Sequence, residues 1–66
     1  MYSFGQTISG DDQFYDHIEH AIPIQIYQNH THTDIGYIDG YSDNFVKVNQ
    51  TYYCRKQFTF VSRPGY

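Results

Sequence analysis

The most constraining feature of this chain is a change of hydrophobic period at Pro23. Before it, Phe14, Ile18 and Ile22 recur every four residues, with Tyr15 on the same side. That spacing predicts a short amphipathic helix over 11–21. Asp11 and Asp12 stand at its positive end and His20 near its negative end, and Ser9 and Asp11 are candidate N-caps. After it, Ile22, Ile24 and Ile26 alternate with Gln25 and Tyr27, the pattern of a half-buried strand. Proline enforces the change, because the residue before it avoids the α region.

Downstream the chain reads as short extended pieces. The NHTHTD stretch is a turn or twisted strand end, and Ile35 to Tyr41 resumes extended structure. Gly36 and Gly40 interrupt it, as glycines do at bulges and sharp bends. SDN is a turn. Phe45 to Val48, Thr51 to Arg55 and Phe58 to Val61 are further strands, with Asn49-Gln50 as a tight connection. One helix followed by about five short strands predicts an all-β chain with one N-terminal helix, folded as a highly bent sheet or a small barrel. The expected core is Phe14, Ile18, Ile22, Ile24, Ile26, Ile38, Val46, Val48, Phe58, Phe60 and Val61. Residues 1–10 have no sustained period and are expected to form a flexible arm, leaving 11–66 as a single domain.

Composition narrows the function. With 66 residues and one cysteine, Cys54, the core is small and cannot be stapled by an internal disulfide. A metal, an oligomer or an unusually good core must compensate. The lone thiol, the absence of a long apolar run, and a first decade without Lys, Arg or an apolar stretch predict a cytoplasmic chain with no membrane partner. The formal charge of −3 argues against non-specific nucleic-acid binding. The basic residues Lys47, Arg55, Lys56 and Arg63 nevertheless all lie near the C-terminal end, where an anion would go. Eight Tyr and five Phe exceed what a small core holds, so several must lie at a surface or interface.

Several stretches resemble the bacterial Sm-like RNA chaperones, the Hfq family, and more broadly the Sm fold. Asp12-Gln13-Phe14 is similar to the start of the family's helix. Ile22-Pro23-Ile24-Gln25-Ile26-Tyr27 resembles its first strand, with Gly36 at the family's spacing. Gly36-Tyr37-Ile38 followed by Gly40-Tyr41-Ser42-Asp43-Asn44-Phe45 resembles the Sm1 signature with one residue inserted. Cys54-Arg55-Lys56 stands where the family carries Tyr-Lys-His, and Val61 to Pro64 resembles the end of the last strand. The likeness covers residues 12 to 64. His30-Thr31-His32 replaces the family's Asn-Gly hairpin, and the connection between the third and fourth strands is shorter.

The resemblance implies a small, strongly bent, five-stranded Sm-like (SH3-like) barrel with one short N-terminal helix, which assembles into a cyclic homo-oligomer and binds single-stranded RNA. Gln13, Phe45, Arg55 and Lys56 would then surround a pore. Phe45 would stack a base, Gln13 would read its edge, and Arg55 and Lys56 would take phosphate. Tyr27 matches a stacking position on the opposite face. The alternative is a structural or adaptor module that binds protein through a tyrosine-rich surface without RNA. Other chemistry is weakly signalled. His30, His32 and Asp34 alternate and would share one face of a regular strand, making them the best, though weak, metal candidates; no metal or cofactor is assigned. Cys54 lacks a local base and reads as a buried structural thiol. The Asp11-Asp12 and Asp39/Asp43 pairs read as cap and turn residues. With no phosphate loop, catalytic triad or nucleotide fingerprint, a non-enzymatic binding module is expected.

Overall fold

The computed structural model describes residues 2–65; Met1 and Tyr66, the outer ends of the expected arm and domain, lie outside the described residues. The chain is mostly strand. In order it forms β1 (Thr7–Ile8), α1 (Asp11–Glu19), β2 (Ile24–Gln28), β3 (Thr31–Gly36), β4 (Ile38–Tyr41), β5 (Phe45–Val48), β6 (Thr51–Cys54) and β7 (Thr59–Ser62). Two antiparallel sheets result, ordered β1-β7-β2-β3 and β4-β5-β6. Only Tyr37 separates β3 from β4, so one nearly continuous stretch serves both sheets. Backbone pairing does not close the two sheets into one barrel among the described residues.

The helix begins at Gly10, which occupies the N-cap in place of the expected Ser9 or Asp11. It ends two residues earlier than the periodicity indicates. Ala21 takes a left-handed φ of 50°, its N–H bonds the Ile18 carbonyl, and the Ile22 N–H bonds the His17 carbonyl. This is a Schellman stop, usually built on glycine, and it turns Ile22 and Pro23 away before the proline is reached. Ile18 consequently lies at the rim, 37% exposed, and Ile22 is half-buried.

Both two-residue hairpins use left-handed pairs. Asn29 and His30 (φ 51° and 67°) join β2 to β3, and Asn49 and Gln50 (φ 52° and 64°) join β5 to β6. Asparagine suits such turns because its short polar side chain tolerates this region. Gly36 answers a different need. A Cβ there would lie 2.9 Å from the Asn49 side chain, whose amide donates to the Ile35 carbonyl at 2.9 Å.

The core gathers Ile8, Phe14, Ile24, Ile26, Ile38, Val46, Val48, Tyr53 and Phe60, with Tyr2, Tyr41 and Phe58 packed against it. Phe58 is half-buried rather than central; Ile8 and Tyr53 are core members the periodicity did not indicate. The N-terminal arm packs against the first sheet. Thr7 and Ile8 pair with Val61 and Phe60, the Gly5 N–H donates to the Ser62 carbonyl at 2.8 Å, and the Ser62 N–H donates to the Gln6 carbonyl at 2.7 Å. The Tyr2 hydroxyl donates to Asp16 Oδ2 at 2.8 Å. From Tyr2 onward the segment is therefore docked, not loose. Its cause is one side chain, Ile8, which is 1% exposed and would otherwise face water. Ile8→Ala should destabilise the fold by about 2–5 kcal/mol, read as a fall in urea midpoint with unchanged slope; a loss under about 0.5 kcal/mol would match a surface position instead.

Candidate binding site

The resemblance sets Gln13, Phe45, Arg55 and Lys56 around a pore and Tyr27 on the opposite face. Gln13 and Arg55 meet at the start of α1, where both are taken up by their own chain. Gln13, at the third helical position, reaches back so that its Oε1 accepts from the amides of Ser9 at 2.9 Å and of the N-cap Gly10 at 3.1 Å. Arg55 Nη1 donates to Asp11 Oδ1 at 2.7 Å and to the Ser42 carbonyl at 2.6 Å, and Nη2 donates to the Ser9 carbonyl at 2.8 Å. Its guanidinium lies over the Phe14 ring, 4.8 Å from the centroid, and only 18% of the side chain is exposed. Arg55 thus ties helix, β1–α1 link and β4–β5 turn together. Phe45 is half-buried and packs edge-to-face on Tyr52, centroids 4.7 Å apart. Lys56 is exposed in the turn after β6.

Tyr27 lies elsewhere, on the outer face of the first sheet. There Gln25 pairs with Val61 and Tyr27 with Thr59. Gly5, Thr7, Tyr27, Asn29, His30, Gln57, Thr59, Val61 and Arg63 line a groove of about 640 Å3. Arg63 is its anchor: Nε donates to Gln25 Oε1, Nη2 donates to the Tyr27 hydroxyl at 3.2 Å, and the guanidinium sits 4.6 Å from the centroid of the Phe4 ring. No carboxylate lines the groove, in a chain of net charge −3. Arg63 was not singled out beforehand as a binding residue. Its signal was the alternation of Gln25 and Tyr27 on one strand with Thr59, Val61 and Arg63 on its partner.

The weak metal candidates His30, His32 and Asp34 are parted by a bulge. Ile26 pairs with Asp34 but Tyr27 pairs with His32, so Thr33 is an extra residue. The extra residue turns His32 and Asp34 to opposite faces. His32 packs on the Tyr27 ring, centroids 5.5 Å apart, while His30 is spent in the hairpin. His17 and His20 each bond a backbone carbonyl of their own helix. No group of three metal-ligating side chains occurs among the described residues. Cys54 is half-buried, not buried, opposite Phe45.

Asp34 instead joins the two sheets. It accepts from the Tyr53 hydroxyl at 2.6 Å, from Asn49 Nδ2 at 3.1 Å and from the Ile35 N–H at 2.8 Å. The Tyr53 hydroxyl chiefly holds the Asp34 carboxyl below its ordinary 3.8, against the opposing effect of burial. Burial first, then the Asp34 hydrogen bond and charge, holds the Tyr53 phenol above 10.0.

A buried pair that resembles catalytic machinery is also present. His17 Nδ1 donates to the Gln13 carbonyl at 2.7 Å, and Nε2 lies 2.7 Å from Ser62 Oγ. A hydroxyl donating to an imidazole is how nucleophiles are activated. Here Ser62 is 0% and His17 1% exposed, no carboxylate orients Nδ1, and the bond fastens α1 to β7. The pair was missed because the helical face was read from its isoleucines; its signal was the three-residue spacing of Phe14 and His17.

No known family model, curated protein or solved structure matches the chain.

The Asp34–Tyr53 bond carries a pH dependence of known sign. A carboxyl lowered on folding contributes stability above 3.8 that is lost as pH falls through its lowered folded value. Tyr53→Phe removes the leading cause. It should cost about 1–2 kcal/mol near neutrality and flatten the acid limb, so that the variant and parent converge in urea melts once pH has fallen through the lowered Asp34 value. Parallel limbs would mean that the bond does not set the Asp34 charge.

Proposed function

We propose that the chain is a non-enzymatic binding module built as an Sm-like, SH3-like small barrel, and that it holds single-stranded RNA in the groove lined by Tyr27 and Arg63. Support for the barrel comes from the strand order β7-β2-β3 passing through Tyr37 into β4-β5-β6, with α1 packed against the cluster through Phe14. One observation carries the ligand class: a groove with an aromatic ring and a guanidinium, but no carboxylate, on an otherwise acidic chain. A base stacks on Tyr27, a phosphate pairs with Arg63, and the amides of Asn29 and Gln57 and the hydroxyls of Thr7 and Thr59 face the sugar and base edges. Gln13 and Arg55 hold the fold in this reading, while Phe45 and Lys56 stand outside the groove.

The second reading, a structural or adaptor module for protein partners, is favoured by the exposed rings of Phe4, Tyr15, Tyr37 and Tyr52. Tyrosine rings suit protein interfaces, being apolar with a wet hydroxyl.

Anisotropy of labelled uridine- or adenine-rich oligonucleotides at low salt separates the two. Tyr27→Ala should weaken binding by about 1–3 kcal/mol, and Arg63→Gln should reduce the salt slope by about one. A folded protein that binds no short RNA at low salt would retire the RNA reading and leave the adaptor.

A further inference from the structure

The Schellman stop turns Ile22 out of the helical register, and the side chain ends half-buried, outside the core cluster. It forms one wall of a cavity of about 440 Å3, whose other walls are Tyr2, Asp16, His20 and Pro64. Three segments meet there: the N-terminal arm, the C-terminal half of α1 with its stop, and the residue that follows Arg63 after β7. None of these five side chains lines the groove of Tyr27 and Arg63. Small-molecule pockets run from about 300 to 1,000 Å3 and combine apolar walls with a few fixed polar groups. This cavity has both.

Its charged wall is a carboxylate, and no Lys or Arg lines it. Asp16 Oδ2 accepts from the Tyr2 hydroxyl at 2.8 Å. Among the described residues nothing donates to Oδ1, and no cation pairs with the carboxylate. The Asp16 carbonyl accepts from the His20 N–H and from His20 Nδ1, both at 3.0 Å, which fixes the turn that carries the carboxylate. Tyr2 is held at two points: its ring meets the His17 ring edge-on, centroids 4.4 Å apart, and its hydroxyl is held by Asp16. Groups already ordered in the free protein lower the cost of taking a ligand.

We propose that this cavity binds a small organic ammonium: a protonated primary amine on a short apolar chain. The ammonium pairs with Asp16 Oδ1 beside the Tyr2 ring, and the apolar chain lies against Ile22 and Pro64. A carboxylate set among apolar walls attracts a cation more strongly than one in open water, and an aromatic ring adds its own attraction for the cation. An anion would meet Asp16 with no Lys or Arg to offset it, and the net charge of −3 opposes it at longer range. A neutral molecule of the same shape would gain the apolar contacts but leave the carboxylate unpaired. The site lies apart from the groove, goes beyond the proposed function and does not depend on whether RNA is bound.

Amide-resolved nuclear magnetic resonance titrations with hexylammonium, hexanol and hexanoate, which share one apolar chain, test it. Hexylammonium should shift the amides of Asp16, His20, Ile22 and Gly65 saturably, hexanol should bind more weakly, and hexanoate should leave them unmoved. Asp16→Asn keeps an acceptor for the Tyr2 hydroxyl and should weaken hexylammonium about tenfold or more, to the level of hexanol. If that variant does not fold, the comparison of the three compounds on the parent decides. No saturable shift with hexylammonium, equal affinity for the three compounds, or a folded Asp16→Asn protein that binds hexylammonium like the parent would overturn the site. Tighter binding of N-acetyl-lysine N-methylamide than of hexylammonium would overturn the assignment to a free amine. RNA titrations of the Asp16→Asn protein should match those of the parent, so failure here leaves the proposed function standing.

Discussion

Ile8 in the core is the contact on which the rest of the structure leans. A chain this short exposes much of what it folds, so each additional buried side chain counts heavily. Bringing Ile8 beside Phe14 and Phe60 requires residues 5–8 to run along β7, and that run fixes the start of α1 through Ser9 and Gly10. Helix, first sheet and N-terminal segment therefore form one cooperative unit. Without that seating, α1 would be a nine-residue helix, too short to persist alone.

The polar residues that look most functional in the sequence are largely spent on this unit. His17 joins helix to β7 through Ser62, Gln13 serves the amides ahead of the helix, and Arg55 draws three backbone segments together. Asp34 and Tyr53 do the same between the sheets. A partly exposed ion pair contributes little alone, but Arg55 also serves two carbonyls and covers Phe14. Tyr27 and Arg63, bonded to each other and to Gln25, also line an open groove, and binding is proposed there.

Much of the architecture was legible in the sequence. The change of period at Pro23 located the helix and β2, the alternation of valines located β5, and Gly40 marked an irregular stretch. What could not be read depended on distant partners. Two residues, Thr7 and Ile8, carry no period, so their strand is visible only beside β7. A bulge is a mismatch between two strands, and nothing within His32-Thr33-Asp34 announces that Thr33 is the extra residue. Helix length was overread because Ile22 continues the four-residue spacing while belonging to the Schellman stop. Tyr27 was recognised as a surface aromatic; Arg63, whose role comes from β7 lying against β2, was not. The candidate groove was thus half legible, and the ties of Gln13 and Arg55 were not legible at all.

The account rests on the pairing of residues 5–8 with β7. Residue-resolved amide exchange on dilute, unassembled protein reads it directly. The Ser62 amide, bonded to the Gln6 carbonyl, should exchange orders of magnitude more slowly than the outward amide of Tyr52. Equal, rapid exchange at both would mean that residues 5–8 do not hold β7 in solution, and the account would fail.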